Sequence, residues 1–202
     1  MRLITAVLTV FAFCAPGLAD SPQVAGQPCV VTEEMGLSPR DEARINMIAA
    51  SRTRGLAAAL ISQSAADRQV VSEIFAGGLS PLQTIVPGRY QCRTIKMGGI
   101  SELVVYTWFA CEVGQEDATL TLRKTSGSQR TFGTLTKSGD GLLYRGALHY
   151  SDEDPVMYDG ASERDQVGCM LKDYEDGNRF VLELPQPAFE SFHDVLELRP
   201  AR

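Results

Sequence analysis

Apolar and polar residues change their period once along this chain. Between Pro39 and Phe75 the apolar positions recur at helical spacing: Ala43, Met47 and Ala50 form one stripe, and Val70/Ile74 and Val71/Phe75 are i,i+4 pairs. Ser38-Pro39 supplies an N-cap followed by proline at the first helical position, with Asp41 and Glu42 in the first turn, where the helix dipole favours acids. The spacing predicts a helix over Pro39–Thr53 and an interruption at Gly55. A second helical region follows over Leu56–Phe75, divided by polar Gln63, Ser64 and Asp67 and stopped by Gly77-Gly78. From Gly88 onward the period falls to two, and hairpin punctuation appears at Gly98-Gly99, Ser126-Gly127, Ser138-Gly139-Asp140-Gly141 and Asp176-Gly177. Eight strands are expected: Tyr90–Met97, Leu103–Val113, Ala118–Thr125, Arg130–Lys137, Leu142–Tyr150, Gln166–Lys172, Arg179–Leu184 and Phe192–Leu198. Short links between antiparallel strands favour closure, because a barrel has no unpaired edges. The expected fold class is α+β, mainly β: N-terminal helices, then an antiparallel β-barrel or strongly curled sheet.

The N-terminus adds an address. Arg2 precedes an apolar run, and Gly17 and Ala19 occupy the −3 and −1 positions of a cleavage site before Asp20, as in a secretory signal peptide. Phe13 before Cys14 does not suit a lipid anchor. The chain is therefore expected to be periplasmic or secreted, with residues 1–19 removed and residues 20–202 forming a single domain. Within it, residues 20–87 comprise an irregular arm and helices, and residues 88–202 the β region. No later apolar run approaches the roughly 20 residues of a membrane span, so stable membrane insertion is not expected.

Charge and cysteines narrow the partners and the compartment. Residues 1–19 carry one basic residue and no acid, which leaves 18 basic and 25 acidic residues and a net charge near −7. That balance argues against nucleic acid or an anionic membrane surface. Four cysteines remain, Cys29, Cys92, Cys111 and Cys169, an even number suited to an oxidising compartment. Facing Cys92 with Cys111 centres a hairpin near Ser101-Glu102, close to Gly98-Gly99, which makes this the local bridge. Cys29–Cys169 then fastens the N-terminal arm to a late strand.

The strands also carry a set of words in order: CRTIKMG, then Tyr106, Phe109, Cys111 and Val113 as Y-x-x-F-x-C-x-V, then SGSQRTFGTL, ERDQVG and FVLELPQPAFESFHDVLEL. Together they resemble the bacterial domain-of-unknown-function 4893 family. The resemblance covers most of residues 20–202 and implies an exported single-domain protein; it supplies no activity, ligand or catalytic residue.

Candidate chemistry is sparse. Lys124 shares a strand face with Leu120 and Leu122, an apolar face on which a lysine sits at the rim or is buried against a carboxylate; the rim is the preferred reading. Ser126–Gln129 should form a hairpin turn rather than a phosphate cradle, because a strand and not a helix follows, and Arg130 should meet a carboxylate. By strict alternation Glu190, Phe192, Asp194, Leu196 and Leu198 share one core-facing stripe, so two acids interrupt it. Lys124, Arg130, Glu190 and Asp194 are thus the ligand-binding candidates, and Glu163, Arg164, Asp165 and Gln166 form a second polar cluster read as structural. Tyr106 and Trp108, with Val104 and Ala110, read as core. No G-x-S-x-G elbow occurs, and His149 and His193 lie near strand ends without a spaced partner. Zinc ligand spacing is absent, and the acidic runs Ser151–Asp154 and Asp173–Asp176 do not match an EF-hand, so no metal, cofactor or catalytic residue is assigned. The leading expectation is a non-catalytic exported barrel module that binds a small molecule or an envelope protein. An interaction or inhibitor module acting through its loops is the alternative, followed by a carboxylate-based envelope enzyme using Glu190, Asp194 or Glu163–Asp165.

Overall fold

The computed structural model describes residues 27–201, so the segment expected to be a signal peptide lies outside the described residues. Three helices, α1 (Pro39–Asn46), α2 (Ile48–Ala59) and α3 (Ala65–Phe75), precede ten strands. These are β1 (Leu79–Ser80), β2 (Gly88–Met97), β3 (Leu103–Val105), β4 (Phe109–Glu116), β5 (Thr119–Lys124), β6 (Gln129–Ser138), β7 (Gly141–Tyr150), β8 (Asp165–Asp173), β9 (Phe180–Pro185) and β10 (His193–Pro200). Eight of them close an antiparallel barrel in the order β8-β7-β6-β5-β4-β2-β10-β9, with β9 returning to β8. β1 adds to β8, and β3 to the end of β2.

Local chemistry explains the helix boundaries. The Ser38 hydroxyl accepts from the Asp41 backbone N–H at 3.3 Å, and Ser64 caps α3 in the same way through Asp67 at 3.2 Å. The single helix expected over Pro39–Thr53 is instead broken at Met47, after which α2 presents Ile48, Ser51, Arg52, Gly55 and Ala59 to the barrel wall. Gly55 does not interrupt the chain; it lies inside α2. A Cβ there would stand 2.9 and 3.0 Å from the Cβ atoms of His193 and Met97, so glycine lets the helix lie directly on the wall.

The barrel interior is filled from one end. Tyr90, Val113, Leu122, Leu135, Leu142 and Met170 pack inside it with Leu82 and Ile85, which enter from the segment between β1 and β2 and plug the base. A Tyr90 O–H bond to the Val86 carbonyl at 2.7 Å holds that plug. Outside, α2 and α3 cover Ile95, Met97, Val181 and Val195, while Ile45 and Ile48 cover Leu143, Val167 and Leu171.

Cys29–Cys169 joins the N-terminal arm to β8, and Cys92–Cys111 joins β2 to β4. The second bridge is diagonal, since Cys111 stands opposite Tyr90, and Cys92 opposite Phe109, two residues from the expected register. Its Cα–Cα distance of 5.8 Å still suits a disulfide. The offset follows from a break in the strand expected over Leu103–Val113. β3 pairs with the end of β2, the chain leaves the ladder at Tyr106–Trp108, and β4 pairs with the start of β2. Tyr106 and Trp108 are therefore not core: Tyr106 is exposed at the rim, and Trp108 lies outside the wall against the Arg93 and Arg199 guanidinium groups.

Candidate functional site

The end of the barrel opposite the plug is open. Inward-facing positions near the ends of six wall strands converge there: Thr94 and Lys96 from β2, Lys124 from β5, Thr131 from β6, Leu148 from β7, Gln166 from β8, and Asp194 and Leu196 from β10. Phe109, Leu184, Tyr106, Ser128, Gln129 and Arg130 complete a hollow of about 160 Å³. A groove of about 300 Å³ continues from it beneath the Pro187–Glu190 loop, sharing Lys96, Gln129, Leu148, Gln166 and Asp194.

Lys124 occupies a position that neither sequence alternative described. It is 7% exposed, so it is not at the rim, and it forms no ion pair among the described residues. Its ammonium donates to the Gln129 carbonyl at 2.7 Å and lies 4.2 Å from the Phe109 ring centroid. Burial, with Lys96 and Arg130 nearby, pushes its pKa down to about 8. Arg130 also departs from expectation: its Nε donates to the Gly127 carbonyl at 3.0 Å, and no carboxylate pairs with it among the described residues. The hairpin turn expected at Ser126–Gln129 is present one residue earlier, with Thr125–Ser128 linking β5 to β6 and Gly127 in the left-handed region at φ 88°. Lys124 and Arg130, the cations that flank the turn, both line the hollow.

The two acids of the last stripe separate. Asp194 points inward and is 4% exposed, whereas Glu190 precedes β10 in a loop, at φ 73°, with its side chain 39% exposed. Strict alternation fails at Glu190 because the strand begins only at His193. The loop instead folds over Gly98 and Gly99, where a Cβ at Gly99 would run into the Glu190 backbone. From that loop Glu190 bonds Lys96, the cation opposite Asp194 across the β2–β10 ladder. Burial lowers the Lys96 pKa, but the bond to Glu190 and the Asp194 charge more than restore it. Burial raises Asp194 to about 6, against the Ser191 hydroxyl that donates to it and the attraction of Lys96. Lys96 was not among the sequence candidates, although alternation continued from Cys92 through Thr94 leads to it.

The polar cluster Glu163–Gln166 divides across the wall. Gln166 turns inward, and its Oε1 accepts from the Thr131 hydroxyl at 2.6 Å, which in turn accepts from the Tyr144 phenol at 2.5 Å. Asp165 turns outward beneath α1, 3.7 Å from Arg40, and its carbonyl accepts from Arg44 at 3.0 Å. Arg164 pairs with Glu153 at 2.7 Å, and Glu163 is exposed. Asp165 thus serves helix docking, Gln166 lines the hollow, and Glu163, Arg164 and Asp165 border the groove that adjoins it.

Sequence reasoning also missed a buried array under α2. Arg52 clamps Glu183 through two bonds of 2.5 Å, Glu183 lies 3.1 Å from His193 Nε2, and Ser51 Oγ lies 2.9 Å from His193 Nδ1. His193 therefore has partners despite its isolation in the sequence. Ser51 Oγ also contacts the Phe192 carbonyl and the Gln186 N–H, so its hydrogen-bonding capacity is used within the fold. The array locks α2 to β9 and β10, and the only sequence sign of it is Glu183 within the apolar run FVLELP.

Fold and site together define a small, closed antiparallel barrel, plugged at its base and open at a cation-rich mouth. The chain belongs to a family of unknown function, DUF4893, whose model matches residues 35–198. No curated protein and no solved structure matches it.

Proposed function

We propose that this protein is an exported, non-catalytic barrel module that holds a small molecule in its mouth. The observation that carries the reading is Lys124, a buried ammonium in the lining of a hollow, with a backbone carbonyl and the Phe109 ring for partners and no carboxylate among the described residues. A buried charge without a counter-charge is costly to the fold, and a bound ligand would offset that cost. The hollow combines an apolar floor with a few convergent polar groups, as ligand sites do. Export rests on the signal-like segment and on the two disulfides, which fit an oxidising compartment. Among the described residues, no helix is long and apolar enough to cross a membrane.

Native mass spectrometry of the protein purified from its own envelope tests the reading. A small co-purifying mass is expected, and Leu148→Trp, which fills the mouth, should abolish it. The interaction-module alternative draws on one observation, an apolar groove between α2 and α3 beside Leu60 and Ile61, which are 75% and 67% exposed. In the same experiment that alternative gives a protein-sized mass, lost in Leu60→Glu and retained in Leu148→Trp.

A further inference from the structure

We propose that the mouth takes an amphipathic monocarboxylate, with its carboxylate between Lys124 and Arg130 and its apolar part against Phe109, Leu148, Leu184 and Leu196. The proposal rests on the mouth reading above and specifies its ligand.

Charge sets the valence. Lys96 from β2, Lys124 from β5 and Arg130 from β6 line the hollow with one acid, Asp194 from β10, and the Tyr106 phenol; Glu190 reaches Lys96 from the adjoining groove, whose farther lining adds Arg164, Glu163 and Asp165. Glu190 is committed to Lys96, whereas among the described residues Lys124 and Arg130 have no carboxylate: Lys124 has the Gln129 carbonyl and the Phe109 ring, and Arg130 the Gly127 carbonyl. A carboxylate is the stronger acceptor for both, since its hydrogen bonds are charge-assisted from each side. Within the hollow three cations face Asp194 and the Glu190 carboxylate bonded to Lys96, which leaves room there for one negative charge. A dianion would exceed that balance and bring its second charge toward Asp194.

The wall sets the remainder of the ligand. The apolar lining of the hollow is Phe109, Leu148, Leu184 and Leu196, of which Phe109, Leu184 and Leu196 are continuous with the packed interior. A short hydrocarbon or an aromatic ring buries apolar surface there, which a bare inorganic anion cannot do.

Binding should also move a proton. Lys124 titrates near 8 because burial and two cations oppose its charge, and a carboxylate beside it reverses that opposition. The complex should therefore take up as much as about half a proton at pH 8.

Calorimetric titration of hexanoate, hexanamide and inorganic phosphate into the disulfide-bonded protein, in HEPES and in Tris at pH 8, tests this. Hexanoate should bind at least tenfold more tightly than hexanamide. Lys124→Met and Arg130→Gln should each weaken hexanoate at least fivefold while leaving hexanamide unchanged, and the buffer-dependent heat should vanish in Lys124→Met. Lys124→Gln, which keeps a donor for the Gln129 carbonyl, separates lost binding from a folding defect. Equal affinity for hexanamide and hexanoate would overturn the anion assignment, and tighter binding of phosphate would overturn the amphipathic one. Silence from all three probes, while the co-purified mass still disappears in Leu148→Trp, removes the ligand class and leaves the mouth reading standing. Silence together with a mass indifferent to Leu148→Trp removes both.

Discussion

Asp194 and Lys124 are held in the mouth against their own ionisation, Asp194 on the acid side of neutrality and Lys124 on the alkaline side. The Asp194 carboxyl is raised to about 6 by burial, so between its ordinary value and pH 6 the folded chain holds a proton that the unfolded chain has released. Its favourable contribution is complete below the ordinary carboxylate range and is lost as pH rises through 6. Asp194→Asn should therefore be more stable than the parent by about 1–3 kcal/mol at pH 7.5 and should flatten the decline between pH 4 and 6. Urea unfolding at four pH values across that range would show it; a parallel shift of both curves would mean that the carboxyl does not titrate there. Lys124 behaves in the inverse way: its cost is full below pH 8 and is relieved between 8 and its ordinary value. Alternation along β5 and β10 was sufficient to find both side chains in the sequence. It did not reveal that Lys124 lacks a carboxylate, because a counter-charge depends on neighbours brought together by strand pairing and not by spacing.

At the scale of elements, α2 is attached to the barrel by charge as well as by packing. Arg52, Glu183 and His193 are buried between the helix and strands β9 and β10. Arg52→Met should cost about 3–5 kcal/mol, because it leaves the buried Glu183 carboxylate without its guanidinium counter-charge and with His193 as its remaining side-chain partner. The double variant Arg52→Met with Glu183→Leu should recover most of that loss, since it removes both charges. Chemical denaturation of the two variants decides the matter, and a double variant no better than the single would assign the loss to geometry instead. Helix positions were readable from caps and periodicity, and strand positions from hairpin glycines. The two misread breaks share a cause. Gly55 and Tyr106–Trp108 take their conformation from what they lie against, α2 from the wall at His193 and Met97, and Trp108 from Arg93 and Arg199. Neither surface is adjacent in the sequence.

For the molecule as a whole, the two disulfides constrain very different lengths of chain. Cys29–Cys169 spans 140 residues and Cys92–Cys111 spans 19. Loop-closure entropy assigns about 5 kcal/mol to the first and about 3 kcal/mol to the second. Replacing Cys29 and Cys169 together by alanine should thus lower the melting temperature more than replacing Cys92 and Cys111; the reverse order would show that the interior bridge contributes through core packing. Barrel closure was foreseeable from eight short antiparallel strands, but the seam was not, because the last strand could have closed on several partners. The observed seam has a consequence for how the chain folds. β10 pairs with β2, joining Tyr90 to Pro200 and Met97 to His193, so the wall stays incomplete until the C-terminus is present. The β4–β7 meander can assemble from neighbours in sequence, whereas the seam must wait for a closure of about a hundred residues, a slow, high-contact-order step. Thiol oxidation should then run in a fixed order, with Cys92–Cys111 available as soon as its hairpin forms and Cys29–Cys169 only after β8 has emerged.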